Sequence, residues 1–257
     1  MNKNDIYLEN FDNVSDDVKY ITNSIVRLKI LAMLYDKPRN IKELTNDGGL
    51  IYSSVLGNMH DLEVEGFIYR ESNRYYLTNS MKVIIEDILE FVMLMDIINN
   101  FFNILDNHIV DIIPTNSVME FYLLGKAVLI ESDDIDVYKT LNFIENSLRN
   151  AECVRCILPV YYENFNHALN MLVEDKKFVE VLVSRDVLPI FEKNSKIMRL
   201  SAFERDDNFL LIVTDKSMML GLFSEDGYFD QNRLLTSKNE DSLKWANNLY
   251  ENFKKER

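Results

Sequence analysis

The chain has 257 residues, of which 47% are hydrophobic, a formal net charge of −14 and two cysteines. This length and composition suit one large or two ordinary globular domains, and two cysteines are too few for a disulfide framework. The first ten residues are polar and lack the apolar centre of a signal peptide, so we expect a cytoplasmic protein.

The acidic charge is unevenly distributed. Residues 20–82 hold eight Lys or Arg against seven Asp or Glu, about +1, whereas the chain from residue 83 onward carries about −12. The net charge opposes nucleic-acid binding, because Lys and Arg are the residues that contact phosphates. The near-neutral N-terminal third could still approach DNA while the rest of the chain is repelled, which would orient the molecule.

Local signals predict two helices at the start of this N-terminal third. Ser24 can cap a first helix with helically spaced apolar residues, and that helix must end before Pro38. Asn40 and Glu43 have the spacing of a capping box, in which each side chain satisfies the other's free backbone amide. A second, short helix therefore begins there, and the Asp-Gly-Gly turn after it ends it.

A third helix and a hairpin complete the N-terminal domain. The helix runs from about residue 50 to 65 and ends at Gly66. Two short strands, 67–70 and 74–77, flank a polar turn. Three helices followed by a hairpin predict a winged helix-turn-helix DNA-binding domain over residues 1–79.

A winged helix reads DNA with the N-terminal half of its third helix in the major groove and its wing along the backbone. A helical wheel with Val55, Met59 and Leu62 inward turns the polar residues of this helix outward. The predicted contacts are base readers on the third helix and phosphate contacts on the second helix and wing: Ser53, Ser54, Gly57 and Asn58, with Lys42, Arg70 and Arg74. The third helix contains no Lys or Arg, so a protein-docking adaptor is the alternative.

The most regular stretch of the chain is residues 81–112, where apolar side chains alternate at three- and four-residue spacing. Such a stripe is typical of a helix that packs lengthwise on another helix, and it predicts a homodimer. The predicted seam, best supported from 81 to 105, contains Ile84, Ile88, Phe91, Met95, Ile98, Phe102 and Leu105. Polar residues interrupt the run before it could span a membrane. We assign residues 80–113 to this connecting helix.

Additional apolar residues widen the helix surface beyond a two-residue seam: Leu94, Ile97, Phe101 and Ile104. One interpretation is a single wide buried face inside a monomer. The other is that these four residues pack on the C-terminal domain while the stripe faces a second subunit.

Residues 114–257 alternate strand-like and helix-like segments, which predicts an α/β domain with a mixed sheet. Strands are expected at 127–131, 153–158 and 178–183, with helices opening at Ser132 and covering 161–173 and 187–191. Three further strands, 197–203, 209–214 and 218–223, are separated by short polar turns and are expected to form an antiparallel meander. An amphipathic helix over residues 243–253 closes the chain.

Ligand pockets in α/β domains lie beyond the carboxyl ends of the strands. Tyr161, Tyr162 and Arg185 follow strands in this way, so they are the predicted effector-binding residues, and Arg185 could meet an anionic ligand. A small molecule or a protein partner would fill this role.

No motif in the chain predicts catalysis, a cofactor or a metal. There are three His residues and no G-x-G-x-x-G, G-K-S/T, H-E-x-x-H or H-x-K sequence. Cys153 and Cys156 lie three residues apart on a predicted strand, so their side chains should point to opposite faces and should neither bridge nor chelate together.

Several stretches together resemble a known family. The N-terminal segments SIVRLKILAMLY, IKELTND, SSVLGNMHDLEVEGFI and RYYLTN are similar to archaeal regulators related to ArsR-type repressors. The segments IIPTNSVMEFYLLGKAVLIES and MMLGLFSEDGYFD, followed by Trp245, resemble the methanogenesis regulatory protein family. The resemblance spans nearly the whole chain and implies a DNA-binding transcription regulator. It does not identify effector-binding residues in this chain. We therefore expect a homodimer that binds double-stranded DNA at a palindromic operator and is not an enzyme. The alternatives are a protein-docking adaptor that does not bind DNA and, less favoured, an enzyme that uses the α/β domain.

Overall fold

The computed structural model describes residues 14–203 and 209–255. The chain forms two compact units: unit 1 ends at Val92 and unit 2 begins at Met93. This boundary falls inside the longest helix. The predicted division into residues 1–79, 80–113 and 114–257 instead makes this helix a separate connecting segment. Within the described ranges, none of the helices combines the length and apolarity that crossing a membrane would require.

Unit 1 contains three helices followed by a two-stranded hairpin, the order that the sequence predicts. A helical segment at residues 14–22 precedes them. The elements are α1 (Ile25–Asp36), α2 (Ile41–Gly48), α3 (Tyr52–Val64), β1 (Ile68–Glu71) and β2 (Arg74–Leu77). The hairpin is antiparallel, with Glu71 opposite Arg74 at the turn. One apolar core joins all three helices, the hairpin and the start of the next helix.

Local hydrogen bonds explain where these helices begin and end. The Ser24 hydroxyl accepts a bond from the backbone N–H of Arg27 at 3.2 Å. Asn40 and Glu43 form the complete capping box, with bonds of 2.9 and 2.8 Å in the two directions. Gly49 and Gly66 have φ angles of 59° and 72°, a left-handed backbone that glycine adopts without steric cost. The predicted caps and the end of the third helix at Gly66 are thus confirmed. The predicted turn after the second helix begins later than expected, because α2 includes Asp47 and Gly48 and its C-cap is Gly49.

The long helix α4 (Asn79–Asp106) contributes to two cores with different faces. Met81 and Ile85 are fully buried in the core of unit 1. Ile97, Phe101 and Ile104 are buried in the core of unit 2. The prediction that these three residues and Leu94 pack on the α/β domain is confirmed.

Unit 2 is built on a seven-stranded mixed sheet. After α5 (Thr115–Met119) and a short 3₁₀ helix (Phe121–Leu124), its elements are β3 (Val128–Glu131), α6 (Lys139–Arg149), β4 (Cys153–Leu158), α7 (Glu163–Glu174), β5 (Phe178–Ser184), α8 (Leu188–Asn194), β6 (Arg199–Phe203), β7 (Leu210–Thr214), β8 (Met218–Gly221), β9 (Arg233–Ser237) and α9 (Glu240–Lys255). The strand order is β3-β9-β8-β7-β4-β5-β6. Strands β4, β5 and β6 are parallel, and the other pairings are antiparallel.

Helices cover both faces of this sheet, because alternate strand residues supply two separate apolar cores. Cys156 of β4 and its neighbours on one face pack with α6, α7 and α8. Ile157 and its neighbours on the other face pack with α9, α5 and the end of α4. Trp245 of α9 is fully buried there, and its indole N–H donates to the carbonyl of Ser117 at 2.8 Å.

The predicted meander of residues 197–203, 209–214 and 218–223 is wrong in its first strand. β6 pairs in parallel with β5, because α8 carries the chain across the sheet before β6 begins. β7 instead pairs with β4 and β8. The true meander is β7-β8-β9, and the sequence analysis did not identify β9. The predicted turn at residues 204–208 lies outside the described residues.

Helix α6 begins later than the predicted start at Ser132. The carboxylate of Asp133 accepts bonds from the backbone N–H groups of Ile135 and Asp136 at 2.9 and 2.8 Å. These bonds hold a turn in place of a first helical turn, so α6 starts only at Lys139.

Candidate nucleic-acid interface

The core of unit 1 fixes which side of α3 faces outward. Val55, Met59 and Leu62 are at most 1% exposed and anchor the helix, as the wheel predicts. Among the predicted base readers, Ser53 and Gly57 are exposed, whereas Ser54 and Asn58 are half-buried. A β-carbon at Gly57 would meet no atom within 4 Å, so open space lies outside the helix here.

Asn58 is partly committed to its own helix. Its side-chain amide donates a hydrogen bond to the backbone carbonyl of Ser54 at 2.9 Å. Reading adenine requires the amide N–H and the carbonyl oxygen of an Asn together. In the conformation present here, Asn58 therefore keeps only its carbonyl oxygen and second amide hydrogen for a base.

An open cleft brings together two of the predicted phosphate contacts. Lys42 from α2 and Arg70 from β1 both line it, and so does Tyr52 from the first turn of α3. The remaining lining residues are Asn40, Ile41, Asn73 and Tyr75. The guanidinium of Arg70 lies 5.6 Å from the ring centroid of Tyr75, within cation–π range. Two cations and several hydrogen-bonding groups thus converge beside the start of α3.

Arg74, the third predicted phosphate contact, already has partners. Its guanidinium donates to the carboxylate of Glu43 at 3.1 Å and to the carbonyl of Pro38 at 2.6 Å. The backbone N–H of Asn40 and the nearby Arg74 lower the pKa of Glu43 below its usual value. Arg74 therefore presents less free positive charge than the sequence suggests.

A second arginine of unit 1 is also neutralised. Arg39 is buried and pairs with Asp36 at 2.9 Å and with Asp47. Among the described residues, Lys42 and Arg70 have no ion-pair partner, and both are exposed. The cleft thus holds two exposed cations without an ion-pair partner among the described residues, and Lys29, Lys37 and Lys82 are further exposed lysines of unit 1 outside it.

Sequence reasoning missed Tyr52, Asn73 and Tyr75 as lining residues of the cleft. Tyr52 is the first residue of α3, and Asn73 belongs to the turn of the wing, positions from which a side chain can reach a bound backbone. The helix and turn boundaries could have identified both. The position of Tyr75 depends on its pairing with the segment around Arg39, which no local pattern shows.

The predicted seam of α4 divides into exposed and packed residues. Ile84, Phe91, Met95 and Ile98 are 38%, 60%, 40% and 39% exposed. Within unit 1 the first two lie roughly 90° around the helix from its buried residues, and within unit 2 the last two lie roughly 120° from its buried residues. Ile88 and Leu105 are half-buried and pack against the cores of unit 1 and unit 2 respectively. The side chain of Phe102 lies outside the described residues.

Of the three predicted effector residues, Tyr162 lines a cleft in unit 2. This open cleft lies between α6 and α7, and burial raises the pKa of the Tyr162 hydroxyl. The other lining residues are Tyr138, Leu141, Asn142, Glu145, Glu163, Asn164 and Phe165. Tyr161 packs edge-on against Phe191 instead. Arg185 is exposed and does not line this cleft.

The two cysteines are both free thiols, as the strand geometry predicts. Cys156 is fully buried in the core on one face of the sheet, and burial raises the pKa of its thiol. Within residues 14–203 and 209–255, no cluster of three or more His, Cys, Asp or Glu side chains has the arrangement of a metal site.

Comparison with protein families gives two matches that together cover most of the chain. Residues 15–98 match the N-terminal domain of the methanogenesis regulatory protein FilR1, and residues 137–256 match its middle domain. The methanogenesis regulatory protein FilR1 of Methanothrix harundinacea (strain 6Ac) is 21% identical over 253 residues. That alignment covers 92% of this chain but 56% of the relative, so the chain spans little more than half of the relative's length.

Solved structures give weak similarities. TrmBL2, described as an archaeal chromatin protein with a novel mode of DNA binding, has a TM-score of 0.37 and 12% identity over 90% of each chain. Nuc of Salmonella typhimurium, a phospholipase D family member, has a TM-score of 0.36 and 10% identity over 50% of this chain and 91% of its own. TM-scores and identities this low carry no functional inference.

Proposed function

Because the chain belongs to the methanogenesis regulatory protein FilR1 family, we propose that it is a DNA-binding transcription regulator. Unit 1 holds the duplex, with the N-terminal half of α3 in the major groove and the hairpin along the backbone. Phosphate contacts fix the position of the protein on the duplex, and base contacts select the sequence.

The cleft between α2, α3 and the hairpin is the observation that carries this proposal. Lys42 and Arg70 line it without ion-pair partners among the described residues, although the chain as a whole is strongly acidic. A cationic cleft in an acidic protein favours a polyanion that approaches from one side. Lys42 and Arg70 are the phosphate contacts in this proposal, and Arg74 mainly holds Glu43 in place.

The proposal includes a homodimer. Ile84, Phe91, Met95 and Ile98 form an exposed apolar stripe, and a second copy of the same helix is the partner that a seven-residue repeat fits. Two copies also double the number of phosphate contacts, which compensates for the few cations in each cleft. Two recognition helices about 34 Å apart would read a palindromic site.

The proposal also includes a response to an effector at the cleft of Tyr162. Glu145 and Glu163 line this cleft together with three aromatic rings, and no Lys or Arg does. The carboxylate of Glu145 is paired with Arg149 at 2.7 Å, so Glu163 carries the negative charge available to a ligand. This lining favours an uncharged or cationic small molecule over the anion suggested by Arg185. An effector bound here would act by shifting the equilibrium between two arrangements with different affinities for DNA.

A titration of genomic duplex fragments at several salt concentrations tests DNA binding. Each phosphate contact contributes about −0.9 to the slope of log K against log salt concentration. Removal of both cations in Lys42→Ala/Arg70→Ala should make the slope shallower by about 1.8 units per subunit.

The matched control is Lys193→Ala/Lys238→Ala, which removes the same charge from exposed positions of unit 2. The control should keep the original slope. Salt-insensitive binding by the unsubstituted protein would favour a protein-docking adaptor, and equal slopes for the two variants would remove the cleft from the proposal.

A further inference from the structure

The N-terminal half of α3 exposes apolar side chains as well as polar ones. Ile51, Tyr52 and Leu56 are 74%, 57% and 47% exposed. Leu56 is not part of the core of unit 1, because Val55 and Met59 already fill the buried face of this part of the helix. An exposed leucine on a groove-facing surface gains most from an apolar group on its partner.

The N-terminal half of the helix has few ways to select a base by hydrogen bonding. It contains no Lys or Arg, so it lacks the residues that bind guanine through two acceptors. Asn58 uses one amide hydrogen on Ser54, and a serine hydroxyl pairs with donors or acceptors alike. The C5-methyl of thymine is the apolar group on the major-groove edges of the bases, and a leucine can distinguish it.

The position of Leu56 suits this role. Tyr52 lines the cationic cleft, and Leu56 follows it on the same side of the helix, one turn or about 6 Å along the axis. If Lys42 and Arg70 hold a phosphate, Leu56 would therefore lie one helical turn further along the groove than Tyr52. The open space at Gly57, which adjoins Leu56, allows the helix to approach the bases closely.

We propose that Leu56 reads the C5-methyl group of thymine, so that each operator half-site carries an A·T pair opposite the second turn of α3. This inference rests on the proposed DNA-binding function and names the class of sequence that the site selects. Specificity then comes mainly from apolar contact, and the cleft supplies affinity.

The test begins with a selection from a random-sequence duplex library by the full chain. The selected duplex is then synthesised with deoxyuridine in place of each thymine in turn, which removes the methyl group and keeps every hydrogen-bonding atom. At one position or two adjacent positions in each half-site, this change should weaken binding about fourfold, the value for one buried methyl group.

Two variants separate the contact from general effects. In Leu56→Ala, thymine and deoxyuridine duplexes should bind equally, because the side chain that meets the methyl group is gone. Val64→Ala is the matched control: Val64 is 70% exposed at the C-terminal end of the same helix, so the fourfold penalty should remain. A melting curve for each variant shows that it is folded.

The outcomes distinguish this inference from the function on which it rests. Equal binding of thymine and deoxyuridine duplexes at every position, or a penalty that persists in Leu56→Ala, would overturn the role of Leu56 and leave salt-dependent DNA binding intact. Failure to retain any duplex would overturn both and would assign the apolar surface of α3 to a protein partner.

Discussion

Truncation of Phe91 tests the dimer most directly, because its ring is the most exposed of the described seam side chains. A buried phenylalanine covers ~200 Å², so an exposure of 60% leaves about 120 Å² per chain for a partner, or about 240 Å² in a symmetric dimer. At ~25 cal/mol per Å², this area corresponds to about 6 kcal/mol. That value is an upper limit, because alanine keeps part of the contact. We expect Phe91→Ala to weaken dimerisation at least about 100-fold, or about 2.7 kcal/mol.

Analytical ultracentrifugation over a concentration series measures this change as a shift of the dissociation midpoint. Val83→Ala is the matched control, because Val83 is 63% exposed on the same helix but lies about 90° from the centre of the stripe. Its midpoint should not move. A mass of one chain for the unsubstituted protein at micromolar concentration, or equal shifts for the two variants, would refute the reasoning.

Three further predictions concern the two units separately. In unit 1, the pKa of Glu43 is lower in the folded protein than in the unfolded protein, so its carboxylate stabilises the fold at a pH above the unfolded pKa. This stabilisation is lost as the pH falls through the folded pKa. Glu43→Gln should therefore flatten the drop in urea midpoint between about pH 5 and about pH 3. In unit 2, the Nδ1 and Nε2 atoms of buried His108 contact the carbonyl of Ile104 at 2.6 Å and the carboxylate of Asp230 at 2.9 Å. Asp230→Asn should therefore cost about 1.5–3 kcal/mol in chemical denaturation, and Glu225→Gln in the same loop almost nothing. The buried thiol of Cys156 should not react with iodoacetamide at about pH 8 until the protein unfolds. Detection of the alkylated residue by mass spectrometry in the native protein would contradict its burial.

The sequence predicted local features well because their causes are local. The capping box of Asn40 and Glu43 and the left-handed turn at Gly66 each depend on residues within a few positions, and both are present in the structure. The strand pairing of β6 could not be predicted in the same way. The polar segment before β7 has the composition of a hairpin turn, which favours pairing of β6 with β7. The partner of β6 is instead determined by the crossover through α8, which spans more residues than a local pattern covers.

The candidate site shows the same difference between local and tertiary information. Their positions on the predicted second helix and wing identified Lys42, Arg70 and Arg74 as equivalent phosphate contacts. The structure places Arg74 against Glu43, 31 positions away in the sequence, and leaves Lys42 and Arg70 together in one cleft. Which cations an acid neutralises depends on tertiary contacts, so composition alone could not separate these three residues.

The division of α4 between two cores has a consequence for how its length can change. One residue inserted near Val92 would turn the following half of the helix by ~100° and advance it by ~1.5 Å. Each core could keep its own buried residues, but a stripe that pairs two chains would lose its alignment at the insertion. An insertion of seven residues would nearly restore that alignment, since it leaves a phase error of only ~20°. If the stripe pairs two chains, an insertion of seven residues should therefore be tolerated here better than an insertion of one, even though neither core alone imposes that rule.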